Sequence, residues 1–141
     1  MSSPAPNVVI DHLLKNDRFS AWLGIEVLEF ALGSCKIQMT IRDEMLNGFD
    51  IAHGGVTFAF ADSALAIASN GYNKLSVALE TSMSFSAPSK AGDRLTAVAE
   101  EISLTNKIGV YNIRITNQEQ VTVGLFKGTV YRTSKTLLNH E

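Results

Sequence analysis

A chain of 141 residues can bury one substantial core, and 45% hydrophobic with 18% charged residues is the balance of a folded globular domain rather than a disordered segment. A net charge of −2 without a basic cluster excludes a nucleic-acid scaffold. The single cysteine, Cys35, excludes an intrachain disulfide and fits a reducing cytoplasm.

Residues 1–7 read as a frayed tail and lack the basic start and apolar core of a secretion signal. Val8–Asp17 has apolar residues at helical spacing and predicts a short amphipathic helix. Ile25–Ala31 is the first predicted strand, Leu32-Gly33-Ser34 its turn, and Cys35–Ile41 the second strand, with Cys35, Ile37, Met39 and Ile41 alternating with polar residues. Residues 42–52 read as an ordered loop. Val56–Asn70 is a long apolar helix rich in alanine and serine, with Gly71 as its stop. Its apolar run is too short to span a bilayer, so neither a membrane nor a nucleic acid is expected as a partner, and the expected location is the cytoplasm.

Four more strands follow: Leu75–Ser86, Arg94–Leu104, Ile108–Thr116 and Val121–Arg132, the last two joined by a turn at Asn117–Gln120. The tail from Ser134 reads as loose. No repeat or linker is visible, so the expectation is one domain over residues 1–141, with a core of about 19–132 and flexible termini. An antiparallel sheet curled round one apolar helix, an α+β arrangement, packs these elements most economically. One face of such a sheet needs cover, which predicts an oligomer.

Asp62 is the only ionisable residue in Val56–Ser69. A lone carboxylate in a helix otherwise fit for burial is costly unless something holds it or uses it. The bland reading is a buried carboxylate satisfied by backbone or hydroxyl groups, with Ser63 nearby. The functional reading joins it to Gly54-Gly55, where unsatisfied amides at a helix start sit at the positive end of the macrodipole and suit a developing oxyanion. Glycine also lets a substrate approach the backbone closely. Gly55 and Asp62 share a helix face but lie roughly 10 Å apart along the axis. A carbonyl held at the Gly55 amide is therefore out of reach of the same chain's Asp62, so the two halves of a site are expected from different subunits.

The pattern Asn47-x5-His53-Gly54-Gly55-x6-Asp62, opening an apolar helix, resembles the hotdog-fold acyl-CoA thioesterases, within them the PaaI-type enzymes of phenylacetate breakdown. The segment Gly109–Gly128 is close to that family's last two strands. The resemblance implies a hotdog fold and hydrolysis of an aryl-acyl-CoA, phenylacetyl-CoA or a hydroxylated relative, without cofactor or metal. It implies Gly54 or Gly55 as the carbonyl-binding amide, Asp62 as general base or nucleophile, Asn47 near the thioester or attacking water, and His53 in support. It further implies a dimer at least, often a tetramer. Thr81 and Ser82 are candidates for a helper hydroxyl on the following strand, although Ala78 can occupy that place. Lys90, Arg94 and Lys107 are candidates for the coenzyme A phosphates, against the plainer reading of solvated surface charges. Cys35 reads as a core residue. Phe19, Trp22 and Phe30 read as packing residues, with Trp22 a second candidate for an acyl pocket. His12, His53 and His140 lack metal-ligand spacing, and Ser63 lacks a nucleophile-elbow setting. The alternatives are a hotdog acyl-CoA dehydratase or isomerase, which needs an acid/base pair for carbon-bound protons, and a non-catalytic acyl-CoA-binding protein.

Overall fold

Helix α1 (Pro6–Asn16) opens on a proline at its first turn, where the missing N–H costs nothing, and buries Val9 and Ile10. A second helix, α2 (Arg18–Leu23), follows at once, a segment for which the sequence reading assigned no helix. Asp17 caps it by accepting the Ser20 N–H, and Gly24 ends it at φ +78°, a left-handed conformation that favours glycine. The structure is a computed structural model and describes residues 4–139.

Strands β1 (Glu26–Ala31) and β2 (Ser34–Thr40) form the first hairpin. The long helix α3 (Gly54–Asn70) begins two residues before the predicted start, so that both glycines are helical. Strands β3 (Ser76–Phe85), β4 (Arg94–Leu104), β5 (Ile108–Thr116) and β6 (Thr122–Arg132) complete a six-stranded antiparallel sheet in the order β1-β2-β4-β5-β6-β3. The inward residues of the sheet, among them Ile37, Met39, Leu95, Ala97, Ile113, Ile115 and Val130, close on Phe60, Ala61, Ala64, Leu65, Ile67 and Ala68 of α3. Close approach is enforced at Gly128, where a Cβ would lie 2.6 Å from a Leu65 methyl. The helix stops at Gly71 as expected, but in right-handed backbone (φ −62°). There, glycine makes room for the Phe30 ring, which a Cβ would meet at 2.6 Å.

Two expectations are corrected. The C-terminal segment is pinned rather than loose: Asn73 donates to the Leu138 carbonyl and accepts the Leu137 and Leu138 N–H groups, while Leu75 N–H donates to the Lys135 carbonyl. His140 lies outside the described residues. Phe19 and Trp22 stack on one another at the surface, with the Arg42 guanidinium 4.9 Å from the Trp22 ring centre. Neither ring belongs to the buried core.

The sheet leaves one stripe of α3 uncovered, formed by Gly55, Ala59, Asp62 and Ala66 at helical spacing. Strand β3 is a sheet edge with Val77 and Leu79 exposed, Leu79 at 63%. Near the start of α3, the connection between β3 and β4 is locked by the buried Asp93. Its carboxylate accepts the Lys90 N–H and the Gln118 side-chain amide, both at 2.9 Å. Burial alone would raise the Asp93 carboxyl, but these two hydrogen bonds and the Lys90 charge outweigh it and hold the pKa below its ordinary value. A depressed carboxyl stabilises the fold above the unfolded pKa, and that contribution is lost as pH falls through the folded one. Asp93→Ala is expected to lower unfolding stability by about 1–3 kcal/mol near neutral pH. In denaturant titrations the gap from the unmodified protein should persist through mildly acidic pH and close below the ordinary carboxylate range.

Candidate active site

The residues between Ile41 and α3 fold into a braced loop that delivers Asn47 and His53. A short 3₁₀ turn at Asp43–Met45 is followed by a bridge between Leu46 and Ala52. Asn47 organises the tip: its Oδ1 accepts the Phe49 N–H at 2.8 Å and the Ile51 N–H at 3.4 Å. With that oxygen committed, the Asn47 side chain can offer a substrate only its Nδ2 donor. Asp50 sits at φ +61°, and Phe49 at the tip is 83% exposed.

His53 is the N-cap of α3. Its N–H donates to the Met45 carbonyl, and its Nδ1 accepts the Gly55 N–H at 2.9 Å. The imidazole thus does the work usually given to a serine or aspartate cap, with its own proton on Nε2. This separates the two glycines. The Gly55 amide is occupied by His53, whereas the Gly54 N–H has no acceptor among the described residues. Gly54 also lines a cavity of about 470 Å³, walled by Asn47, Ile51, Thr57, Phe85 and Val123. A Cβ at position 54 would stand 3.3 Å from the Phe85 ring, so any larger residue there displaces the cavity wall.

Asp62 does not line this cavity, and the bland reading of it as a buried carboxylate satisfied by backbone or hydroxyl groups does not hold. It is exposed on the open stripe of α3, and no donor bonds its carboxylate among the described residues. The apolar identity of its neighbours hid the fact that its own face is the one the sheet leaves bare. Lost hydration against the surrounding helices, and then the negative charge of Asp17, raise its pKa above the ordinary value. Seven residues of helix keep Asp62 roughly 10 Å along the axis from Gly55.

The remaining predicted residues scatter. Thr81 pairs with Gly128, whose Cβ direction points at Leu65, so Thr81 faces α3 from the edge strand. Ser82 pairs with Lys127 on the opposite face. Lys90 lies at the α3 N-terminal end beside Ile51 and Ser89. Lys107 lies at the far end of the sheet, its carbonyl bonded to the Arg132 N–H, the length of β6 away from Gly54 of the same chain. Cys35 is buried with its thiol toward the Ala64 carbonyl, and burial pushes its pKa up to about 12. Sequence reasoning missed Thr57, Phe85 and Val123 as cavity walls, and the Asp17–Ser20–Ser63 hydrogen bonds that pass beside Asp62. Only Asp17 carried a local signal, as an N-cap residue before a short apolar segment.

Residues 49–124 match the model of the thioesterase superfamily. The acyl-coenzyme A thioesterase PaaI of Escherichia coli K12 is 38% identical over 125 residues, spanning 89% of each chain. The chain belongs to the thioesterase superfamily. The structure of the E. coli PaaI protein from the phenylacetic acid degradation operon superposes with a TM-score of 0.92 at 36% identity, covering 94% of this chain and 96% of that one. A mutant of the phenylacetic acid degradation protein PaaI from Thermus thermophilus superposes at 0.79 with 37% identity, covering 82% of this chain and 99% of that one. The fold is the hotdog fold, and the protein is a thioester hydrolase. No described helix of this thioesterase is long and apolar enough to cross a membrane.

The separate states of the two glycine amides make a sharp test. Gly54 is the first residue of α3, a position where proline is well tolerated, and His53 already has the extended backbone that precedes proline. Gly54→Pro therefore deletes one N–H and leaves the helix in place, with Gly54→Ala as the control that presses the same Cβ on Phe85 but keeps the N–H. It is expected to lower kcat by about 10²–10³ with little change in melting temperature, the loss typical of one oxyanion donor. Steady-state kinetics beside thermal unfolding checks this.

Proposed function

We propose that this thioesterase hydrolyses an aryl-acyl-CoA, phenylacetyl-CoA or a ring-hydroxylated relative, to the free acid and coenzyme A. The observation that carries the reading is the unpaired Gly54 N–H at the start of α3, opening into a cavity with apolar and aromatic walls. A volume of about 470 Å³ lies in the range of small-molecule sites, and Phe85 offers an aryl group an edge or face to pack against. Similarity to proteins named for phenylacetic acid degradation supports the aryl assignment.

In the proposed cycle the thioester oxygen accepts the Gly54 N–H, and the helix dipole favours the charge that develops on it. Asn47 Nδ2 donates to the thioester or to the attacking water. An ionised Asp62 takes a proton from that water as it adds to the carbonyl carbon. The tetrahedral intermediate then collapses, breaking the carbon–sulfur bond; coenzyme A leaves as a thiolate, and the proton held by Asp62 passes to solvent, which restores the ionised carboxylate. The raised pKa of Asp62 favours proton abstraction, because a more basic carboxylate is the better general base.

Gly54 and Asp62 are eight residues apart, about 12 Å along α3, which supports an Asp62 from a second copy of the chain. The reading is therefore a homo-oligomer with sites between subunits, a dimer at least and a tetramer by family resemblance. Support comes from the bare stripe of α3 and the exposed apolar edge of β3, both of which a two-fold partner would cover. Lys90 stands near its own chain's cavity, whereas Lys107 could meet phosphates only at a neighbour's site. The buried reduced Cys35 fits a cytoplasmic enzyme.

Thiol release measured over a panel of acyl-CoA esters tests the reading, with arylacetyl-CoA esters expected to give the highest kcat/KM. Asp62→Asn should lower turnover by about 10²–10⁴ while the protein stays folded. Hydration or isomerisation without thiol release would favour the dehydratase or isomerase. Tight binding without turnover would favour an acyl-CoA-binding protein.

A further inference from the structure

We propose that Thr57 and Ser89 set substrate preference by hydrogen-bonding a ring hydroxyl of the acyl group, which favours hydroxylated arylacetyl-CoA esters over the unsubstituted one. This rests on the reading of the cavity at Gly54 as the acyl site.

Nine Ser, Thr, Asn and Asp residues are buried among the described residues. Seven of them are hydrogen-bonded through their side chains within the chain, as Asp93 is to Gln118 and Asn73 to the Leu138 carbonyl. Thr57, 6% exposed, and Ser89, 5% exposed, are the two whose hydroxyls have no partner among the described residues. Both line the cavity at Gly54. A threonine within a helix can return its hydroxyl to the carbonyl four residues back, here that of His53. Thr57 makes no such bond among the described residues. Neither hydroxyl is sealed off, since Arg132 Nε is the one fully enclosed side-chain polar atom without a partner among the described residues. Thr57 therefore opens to the cavity, and Ser89 borders both the cavity and a second hollow beside Lys90 and Asp93.

A buried hydroxyl without a partner costs stability, and a ligand that completes its hydrogen bonds recovers that cost. Thr57 stands three residues on from Gly54, about 4.5 Å further along α3 and on the same side. Ser89 lies in the connection between β3 and β4, and its carbonyl accepts the Ala52 N–H at 2.7 Å, which fastens it to the loop before α3. Two separate elements thus present a hydroxyl to the space beside the carbonyl-binding amide. No charged side chain lines that space among the described residues, so a carboxylate or ammonium on the ring would lose water without gaining a counter-charge. A neutral hydroxyl fits, because it can donate to one oxygen and accept from the other. The other polar walls are otherwise engaged: Asn47 Nδ2 serves the thioester or water in the proposed cycle, and Ser86 is exposed to solvent.

Thr57→Val removes the hydroxyl and nearly keeps the side-chain shape, and Ser89→Ala removes the second one. The measurement is kcat/KM for thiol release from phenylacetyl-CoA and from its meta- and para-hydroxylated esters. The unmodified enzyme is expected to favour a hydroxylated ester by about 10–100-fold, because a site built to bond a hydroxyl rejects the analogue that lacks it. Each variant should cut that preference by about 2–10-fold, chiefly by raising KM for the hydroxylated ester. Thr57→Val should also lower KM for phenylacetyl-CoA, whereas Thr57→Ser, which loses only a methyl group, should keep the preference. These two variants decide the matter even if Ser89→Ala folds poorly. Equal losses on all esters beside a lowered melting temperature would leave the hydroxyls a role in the fold alone and overturn the proposal. An unmodified enzyme that favours phenylacetyl-CoA overturns the role of Thr57 and Ser89 and leaves aryl-acyl-CoA hydrolysis standing. No thiol release from any arylacetyl-CoA overturns both.

Discussion

One antiparallel sheet can enclose most of an apolar helix but not all of it. The six strands close on α3 through alternating inward residues, and glycine at position 128 lets the helix sit nearly against the backbone of β6. What remains open is the stripe Gly55–Ala59–Asp62–Ala66. A carboxylate can stay on this helix at low cost only on that stripe, where it is not wholly removed from water. The packing that builds the core therefore also decides where the ionisable group can be.

The second consequence concerns the helix start. The first amides of any helix lack intrahelical acceptors, and the protein must satisfy them or use them. Here the His53 ring takes the Gly55 N–H and leaves Gly54 facing the cavity. The braced loop before it spends the Asn47 oxygen on its own backbone, leaving that side chain a donor only. Asn47 and Gly54 line the same cavity, each with a hydrogen-bond donor left unpaired among the described residues. A carbonyl that becomes an oxyanion is the chemistry such donors favour.

Alternation along Cys35–Ile41 and the length of the alanine-rich run were enough to read the second strand and the central helix from sequence, because those signals are local and repeat along an element. The glycine pair and Asp62 were likewise readable as exceptions to a pattern. Helix α2 was not, since six residues hold too little periodicity and its aromatic residues Phe19 and Trp22 look like core while lying at the surface. The pinned C-terminal segment depends on Asn73, which reaches residues more than sixty positions away. Ser20 and Ser63 meet across 43 positions, again with no local trace. The bare side of α3 was hidden for another reason: when nearly every residue of a helix is apolar, the pattern no longer says which face is left over.

The central claim is that Gly54 and Asp62 of one site belong to different chains. It is tested most directly by mixing Gly54→Pro with Asp62→Asn under conditions of subunit exchange and measuring thiol release. Each parent should be nearly inactive. In a two-fold dimer each hybrid holds one doubly defective site and one intact site, so statistical mixing should restore roughly a quarter of full turnover. No recovery, with hybrid dimers demonstrated by mass spectrometry, would contradict the claim and place both groups in the same chain.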